Sequence, residues 1–205
     1  MKKTATMLLV AACVLGLASL ASAQTCGWED GTSTVLGSYG NLASATNVAT
    51  MANQGAHSVE LIESPVSGTP QAFVAFIEGL TDGDAVTAGF YGWDVTPGAS
   101  PSMRVWGHYG ESGDIGSYNG SAGGNSTYTD GSGWGWVDHT WTFDSSGGTR
   151  DALIVECRLY STATAFTYYA DDVSVWTSAG TVTLACGGSV SVESASWGVV
   201  KSEYR

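Results

Sequence analysis

The sequence predicts an all-β fold, an antiparallel sandwich or barrel, on three observations. Helical periodicity is almost absent, short segments rich in β-branched and aromatic residues recur, and clusters of glycine, serine, aspartate and proline separate them. These segments follow one another with no helix between them, which favours antiparallel pairing because parallel strands need long crossover connections. The chain is long enough for one core-bearing domain rather than two.

The predicted strands are short runs of this pattern, each ending at a turn-forming cluster. They are His57–Glu63, Gln71–Glu78, Ala85–Trp93, Met103–Tyr109, His139–Phe143, Ala152–Tyr160, Thr167–Trp176 and Thr181–Cys186. Between the fourth and fifth strands, residues 110–135 are rich in glycine and carry no periodic hydrophobic pattern. Loops of that length are usually functional or disordered.

The amino terminus is typical of a secretion signal. Two lysines precede an apolar run, Met7–Leu20, and the sequence Ala-Ser-Ala at 21–23 matches a signal-peptidase site. We therefore expect residues 1–23 to be removed and the mature protein, from Gln24, to be secreted or held at the cell surface. A lipoprotein site at Cys13 is the alternative, although the apolar run continues past it.

The charge balance limits the partners that the mature protein can bind. Loss of the leader removes two of the 7 basic residues and none of the 19 acidic ones, so the formal charge falls from −12 to −14. A chain this acidic repels phosphate backbones, which argues against nucleic acid. No later segment approaches the roughly 20 apolar residues of a membrane span. Neutral ligands, surfaces and divalent cations fit better.

Side-chain alternation assigns two faces to three of the strands, because successive residues point to opposite sides of a sheet. In Ala85–Trp93, Met103–Tyr109 and Ala152–Tyr160, one row is apolar and is predicted to face the core. If these strands are neighbours in one sheet, the opposite rows form a polar aromatic platform that binds a ligand. The platform residues are Tyr91, Trp93, Arg104, Trp106, Glu156, Arg158 and Tyr160.

Three short motifs resemble the β-jelly-roll carbohydrate-binding modules of secreted bacterial glycan-processing proteins. They are Trp-Glu-Asp-Gly at 28–31, Gly-Leu with Gly-Asp at 79–84, and Tyr-Tyr-Ala-Asp-Asp-Val-Ser-Val at 168–175. The likeness covers residues 26–178 and implies a jelly-roll sandwich over 24–178, followed by a terminal strand and tail over 179–205. It also implies a non-catalytic glycan-binding function.

The same resemblance implies a structural calcium ion between the first and last strands of the sandwich. Acidic residues of those strands commonly hold the ion in such modules, and the matching positions here are Glu29, Asp171 and Asp172. Calcium prefers several hard oxygen ligands, so carboxylates that a fold brings together suit it.

The tryptophans divide into two groups. We expect Trp28, Trp141 and Trp176 to fill or border the core. The outward or loop positions, which suit stacking on a sugar ring, are Trp93, Trp106, Trp134 and Trp136. The first functional hypothesis is therefore a module for a neutral or weakly charged polysaccharide, with arginines that would also suit an acidic sugar. The second is a structural or adhesive protein of the cell surface.

A polysaccharide-degrading enzyme is the third hypothesis, and the sequence offers little for it. No nucleophile elbow, zinc-binding helix, phosphate loop or paired-glutamate motif occurs. A lyase-like group could still assemble from Arg104, His108 and Tyr109.

The mature chain keeps three cysteines, and disulfides persist outside the cytoplasm. Cys157 lies in a core-facing row and is predicted to be a buried free thiol, which leaves Cys26 to pair with Cys186, with the other pairings still open. Beyond Gly187, apolar residues at helical spacing predict a short terminal helix. This tail could pack on the sandwich, bind a surface protein partner, or serve export.

Overall fold

The computed structural model describes residues 23–96, 98, 100–129, 131–161, 166–186 and 190–191. Over these residues the chain forms thirteen strands and no helix, and therefore no helix that could cross a lipid bilayer. Almost all of the predicted leader and most of the C-terminal tail lie outside the described residues. In chain order the strands are β1 Gln24–Cys26, β2 Gly37–Tyr39, β3 Leu42–Val48, β4 Ser58–Glu63, β5 Gln71–Glu78, β6 Ala85–Asp94, β7 Ser102–Gly110, β8 Ser121–Gly124, β9 Gly133–Thr142, β10 Ala152–Tyr160, β11 Thr167–Thr177, β12 Thr181–Leu184 and β13 Val190–Ser191.

The strands form two antiparallel sheets around one main core, as the sequence predicts. In sheet A, β11 is central: β6 and then β9 lie on one side of it, while β4 with β3 and β1 with β13 share the other side. Sheet B has the order β12-β5-β10-β7-β8, and β2 pairs with another part of β5. The fold is an all-β antiparallel sandwich.

The apolar rows predicted from alternation are all buried between the sheets. They are Val86, Ala88 and Phe90 of β6, Met103, Val105 and Tyr109 of β7, and Leu153, Val155, Cys157 and Leu159 of β10. Burial also extends to the opposite face of sheet B. There Phe73, Phe76, Ala152 and Ile154 form a second apolar cluster, packed against Leu36 and Ile115. Connecting segments therefore cover part of the outer face of sheet B.

The cysteine prediction is confirmed. Cys26 and Cys186 form a disulfide with a Cα–Cα distance of 5.7 Å, and Cys157 is a buried free thiol whose pKa is raised by burial. The terminal strand β12 pairs with β5 and so completes an edge of sheet B. Val190 and Ser191, at the start of the tail, pair with β1 as a strand. The residues whose helical spacing predicts a terminal helix lie outside the described residues.

Trp28 and Trp141 are buried in the core as expected, whereas Trp176 is 37% exposed. The cause is a bulge in β11, where the register against β6 shifts between Asp171 and Ser174. Before the bulge, even-numbered residues such as Ala170 point inward; after it, the odd-numbered residues do. One extra residue in a strand exchanges the two faces. Trp176 therefore projects from the outer face of sheet A.

Candidate functional site

A groove with a volume of about 560 Å³ crosses the outer face of sheet B. Five neighbouring strands and one connection contribute to it. Its lining residues are Ser38 and Tyr39 of β2, Gln71 and Phe73 of β5, Glu156 and Arg158 of β10, Trp106 and His108 of β7, Gly116 and Tyr118 of the β7–β8 connection, and Ser121 of β8. The groove thus runs across the strands, and an extended ligand could contact several of them at once.

The structure brings five of the seven predicted platform residues together. β7 and β10 are neighbours, so Arg104 lies opposite Arg158 and Trp106 lies opposite Glu156, with Tyr160 further along the same face. Three of these five residues line the groove. The expectation of a single platform is wrong for Tyr91 and Trp93. Their strand, β6, pairs with β9 and β11 in the other sheet.

Tyr91 and Trp93 instead contribute to a separate aromatic surface on the outside of sheet A. Tyr91 packs against Trp136 with ring centroids 5.1 Å apart, and Trp93 packs edge-on against Trp134 at 5.7 Å. Trp136 is 40% exposed. We call these four side chains the sheet A aromatic surface. It lies on the opposite side of the sandwich from the groove.

Aromatic rings hold the two arginines of the groove face in place. The Arg104 guanidinium carbon lies 4.6 Å from the centre of the Trp106 ring, 5.1 Å from Tyr128 and 4.9 Å from Tyr160. The Arg158 carbon lies 4.5 Å from Trp106 and 5.6 Å from Tyr160. Such cation–π contacts stabilise a guanidinium and limit its orientation. Burial raises the pKa of Tyr160, and both arginine charges oppose that rise.

A buried polar network forms the floor of the groove. Glu156 is 1% exposed, and one of its oxygens meets Nδ1 of His108, itself 4% exposed. The Gln71 amide, oriented with its nitrogen toward Glu156, donates to the two carboxylate oxygens at 3.2 and 3.0 Å. His108 Nε2 lies 3.2 Å from the Ser117 carbonyl oxygen. The network therefore fixes the floor and ties it to the β7–β8 connection.

Two exposed tyrosines that are not among the predicted site residues border the groove. Tyr39 is 69% exposed on β2, and Tyr118 is 67% exposed on the β7–β8 connection, where its ring lies 5.4 Å from that of His108. Trp106, by contrast, is half-buried, and its Nε1 donates to Ser121 Oγ at 3.1 Å. For Tyr118, the sequence offers one signal of exposure: it is the single aromatic residue in the turn-forming segment Gly-Ser-Tyr-Asn-Gly at 116–120. The aromatic rings most exposed to a ligand are therefore the two tyrosines at the borders of the groove.

The structure does not assemble the lyase-like group. Arg104 and His108 lie on the groove face, whereas Tyr109 points into the core, where its ring meets Phe143 edge-on at 5.4 Å. Alternation along β7 imposes this separation, because residues 108 and 109 point to opposite faces. Both ring nitrogens of His108 also face acceptors within the protein.

The three carboxylates assigned to calcium converge beside Gly27. A Cβ atom at Gly27 would lie 3.2 Å from Asp171 Oδ1, 3.2 Å from Asp172 Oδ1 and 3.9 Å from Glu29 Oε1. Burial raises the pKa of Asp171 to about 6; the Asn53 backbone amide opposes this rise, and the neighbouring Asp172 charge adds to it. A hard divalent cation would offset this crowded negative charge.

Backbone and side-chain donors also engage these carboxylates. Glu29 accepts from the amides of Ala56 and His57, and Asp171 Oδ2 accepts from the Asn53 amide at 2.7 Å. Among the described residues, no three acidic, histidine or cysteine side chains form a metal-binding group. The carboxylate oxygens are the type of donor that calcium prefers, but the described side chains are not arranged as a metal-binding group, so the ion stays a prediction.

No protein-family model and no curated protein sequence matches the chain. Solved structures do match. The CBM22-2 xylan-binding domain of Paenibacillus barcinonensis Xyn10C aligns with 74% of this chain and 97% of its own, at 17% identity and a TM-score of 0.51. The chain has the fold of a carbohydrate-binding module.

Two further solved structures align with this chain. One is the CBM22-1-GH10 portion of xylanase Xyn10B from Clostridium thermocellum, solved with xylohexaose, at 14% identity and a TM-score of 0.51. That alignment covers 80% of this chain and 30% of the longer xylanase chain. The other is an apo cyclase from Fischerella sp., at 11% identity and a TM-score of 0.48, covering 76% of this chain and 97% of the cyclase.

Proposed function

We propose that the sheet B groove binds a polysaccharide chain and that the protein is a secreted, non-catalytic glycan-binding module. The observation that carries the proposal is a groove across five strands that combines exposed tyrosines at its borders with fixed polar groups on its floor. Aromatic faces suit the C–H faces of sugar rings, and a few oriented polar groups select hydroxyls.

Two further observations support this function. The Paenibacillus domain that shares the fold is described as xylan-binding, and the Clostridium protein was solved with xylohexaose, so xylans are the first ligands to test. The Cys26–Cys186 disulfide is typical of an oxidising compartment, which supports secretion. The exposed Trp136 and Trp176 of sheet A favour the second candidate, a structural or adhesive surface protein, if no glycan binds.

Replacing Tyr118 by alanine should weaken glycan binding about tenfold, because truncating an aromatic side chain that stacks on a ligand commonly costs about 1–2 kcal/mol. The melting temperature should change little, since the ring is mostly exposed. Affinity electrophoresis against a polysaccharide panel, followed by calorimetry with the best ligand, measures the effect. Trp136→Ala, a matched aromatic change on the opposite face, should leave affinity unchanged. Loss of binding in Trp136→Ala alone would place the site on sheet A.

We also propose that Glu29, Asp171 and Asp172 hold a calcium ion that joins the turn after β1 to β11. The bound ion would offset two of the three negative charges at this junction. Binding to the folded state alone raises stability by about 2.7 kcal/mol when calcium exceeds its Kd a hundredfold. Thermal melts with calcium and with a chelator should therefore differ in the wild type and agree in Asp171→Asn. Asp138→Asn, an exposed carboxylate on β9, is the control that keeps the difference. Identical wild-type melts would exclude the ion.

A further inference from the structure

The basic residues of the described chain are distributed unevenly. Between residues 23 and 186 the sequence holds no lysine and three arginines, although the chain has 19 acidic residues. Arg150 pairs with Asp144, their nitrogen and oxygen being 3.4 Å apart. Within the part of the chain that the structure describes, neither Arg104 nor Arg158 forms an ion pair with a carboxylate. Of the three arginines that the structure describes, the two without an acidic partner are those on the groove face.

These two arginines lie directly opposite each other on β7 and β10. Like charges in facing positions of an antiparallel pair destabilise a sheet, and a carboxylate at either position would remove that cost. The Nε atoms of Arg104 and Arg158 are also buried and have no acceptor among the described residues. Local violations of this kind are expected at functional sites rather than in ordinary surface positions.

The surroundings hold the pair as a preformed cationic site. Rings of Trp106, Tyr128 and Tyr160 pack against the guanidiniums, and Arg158 Nη2 donates to Thr69 Oγ1 at 2.9 Å. Arg158 also lines the groove, so its charge is accessible to a ligand there. A planar guanidinium matches a planar carboxylate through two parallel hydrogen bonds. The ligand group that best complements the two guanidiniums is therefore a carboxylate.

We propose that the groove takes an acidic polysaccharide and that Arg104 and Arg158 bind the carboxylate of a uronic acid residue. This inference rests on the proposed glycan-binding function and adds the class of sugar. The strong net negative charge of the protein would otherwise repel polyanions. Selectivity for an acidic chain therefore requires a local cationic site of this kind.

A matched pair of polymers tests the inference: a glucuronoxylan, and the same glucuronoxylan after chemical reduction of its carboxyl groups to alcohols. Calorimetry on the full mature chain should show that the acidic polymer binds at least about ten times more tightly than the reduced polymer. This is the usual effect of one charge-assisted hydrogen-bonded pair. The preference should shrink as salt is raised, because salt screens exposed charges. Equal affinity for the two polymers would overturn the inference and leave the proposed function standing. Binding to neither polymer, nor to any panel glycan, would overturn the proposed function.

Arginine variants locate the effect. Arg104→Gln and Arg158→Gln should each lower the ratio of the affinity for the acidic polymer to the affinity for the reduced polymer toward one. Arg150→Gln removes the same charge outside the groove and should keep the preference. If a glutamine variant melts below the assay temperature, Arg158→Lys keeps the charge, loses the planar fork and should lower the preference partly. A preference that persists in all the folded variants at 104 and 158 would overturn the inference.

Discussion

Replacing Cys26 and Cys186 together by serine should lower the free energy of unfolding by about 2–5 kcal/mol. The disulfide joins residues 160 positions apart, ties β1 to the end of β12 and so closes almost the whole described chain into one loop. A cross-link over so long a loop restricts the unfolded chain strongly, and in the chain-entropy account the effect grows with loop length. Urea denaturation of the wild type and the double variant measures the difference.

A reductant provides the matched control for this result. Reducing the wild type should lower its stability to that of the double serine variant, and the same treatment should leave the variant unchanged. Cys157→Ala, which alters the buried thiol only, should keep the sensitivity to reductant. Wild-type stability that is insensitive to complete reduction would contradict the stabilising role assigned to the disulfide.

Replacing His108 by alanine should destabilise the fold by about 1–3 kcal/mol, the usual cost of leaving a buried polar group without its hydrogen-bond partner. Glu156 would keep Gln71 as a donor but lose the imidazole that meets its carboxylate. The link from His108 to the Ser117 carbonyl would also be lost, so the segment that carries Tyr118 should be less well held. Glycan affinity should therefore fall together with stability.

A double-mutant cycle separates the pair from its surroundings. Glu156→Met alone should be destabilising, but Glu156→Met combined with His108→Ala should cost clearly less than the sum of the two single changes, because no buried carboxylate is then left behind. Tyr39→Ala, on the far border of the groove, is the control that should lower affinity without altering stability. Additive effects of the two changes would show that the pair contributes no coupling energy.

The fold could be predicted where hydrophobic alternation is strong. Gln71–Glu78 and Ala152–Tyr160 have the bounds that the pattern predicted, because both strands lie inside sheet B and bury apolar rows. Leu42–Val48 was missed because its small and polar residues show no apolar row. Ser121–Gly124 was missed for a related reason: it is a strand only through its pairing with β7. Tertiary pairing, not local sequence, determines such segments.

The site could be predicted in part for the same physical reason. Alternation placed Trp106 and Arg158 on an outward face, and that is where they lie. Alternation says nothing about which strands are neighbours, so Tyr91 was assigned to a groove that belongs to the other sheet. Pattern alone also could not show that Glu156 is buried by segments folded over the strand, or that Tyr118 borders the groove.

The central claim is that the groove on sheet B, rather than the aromatic surface on sheet A, binds a glycan. A titration of the isotope-labelled mature protein with an oligosaccharide from its best polysaccharide, followed by two-dimensional amide NMR, tests this claim most directly. The account predicts chemical-shift changes concentrated in β2, β5, β10, β7, β8 and the connection that carries Tyr118. Changes centred on β6 and β9, around Tyr91 and Trp136, or no changes with any glycan would contradict it.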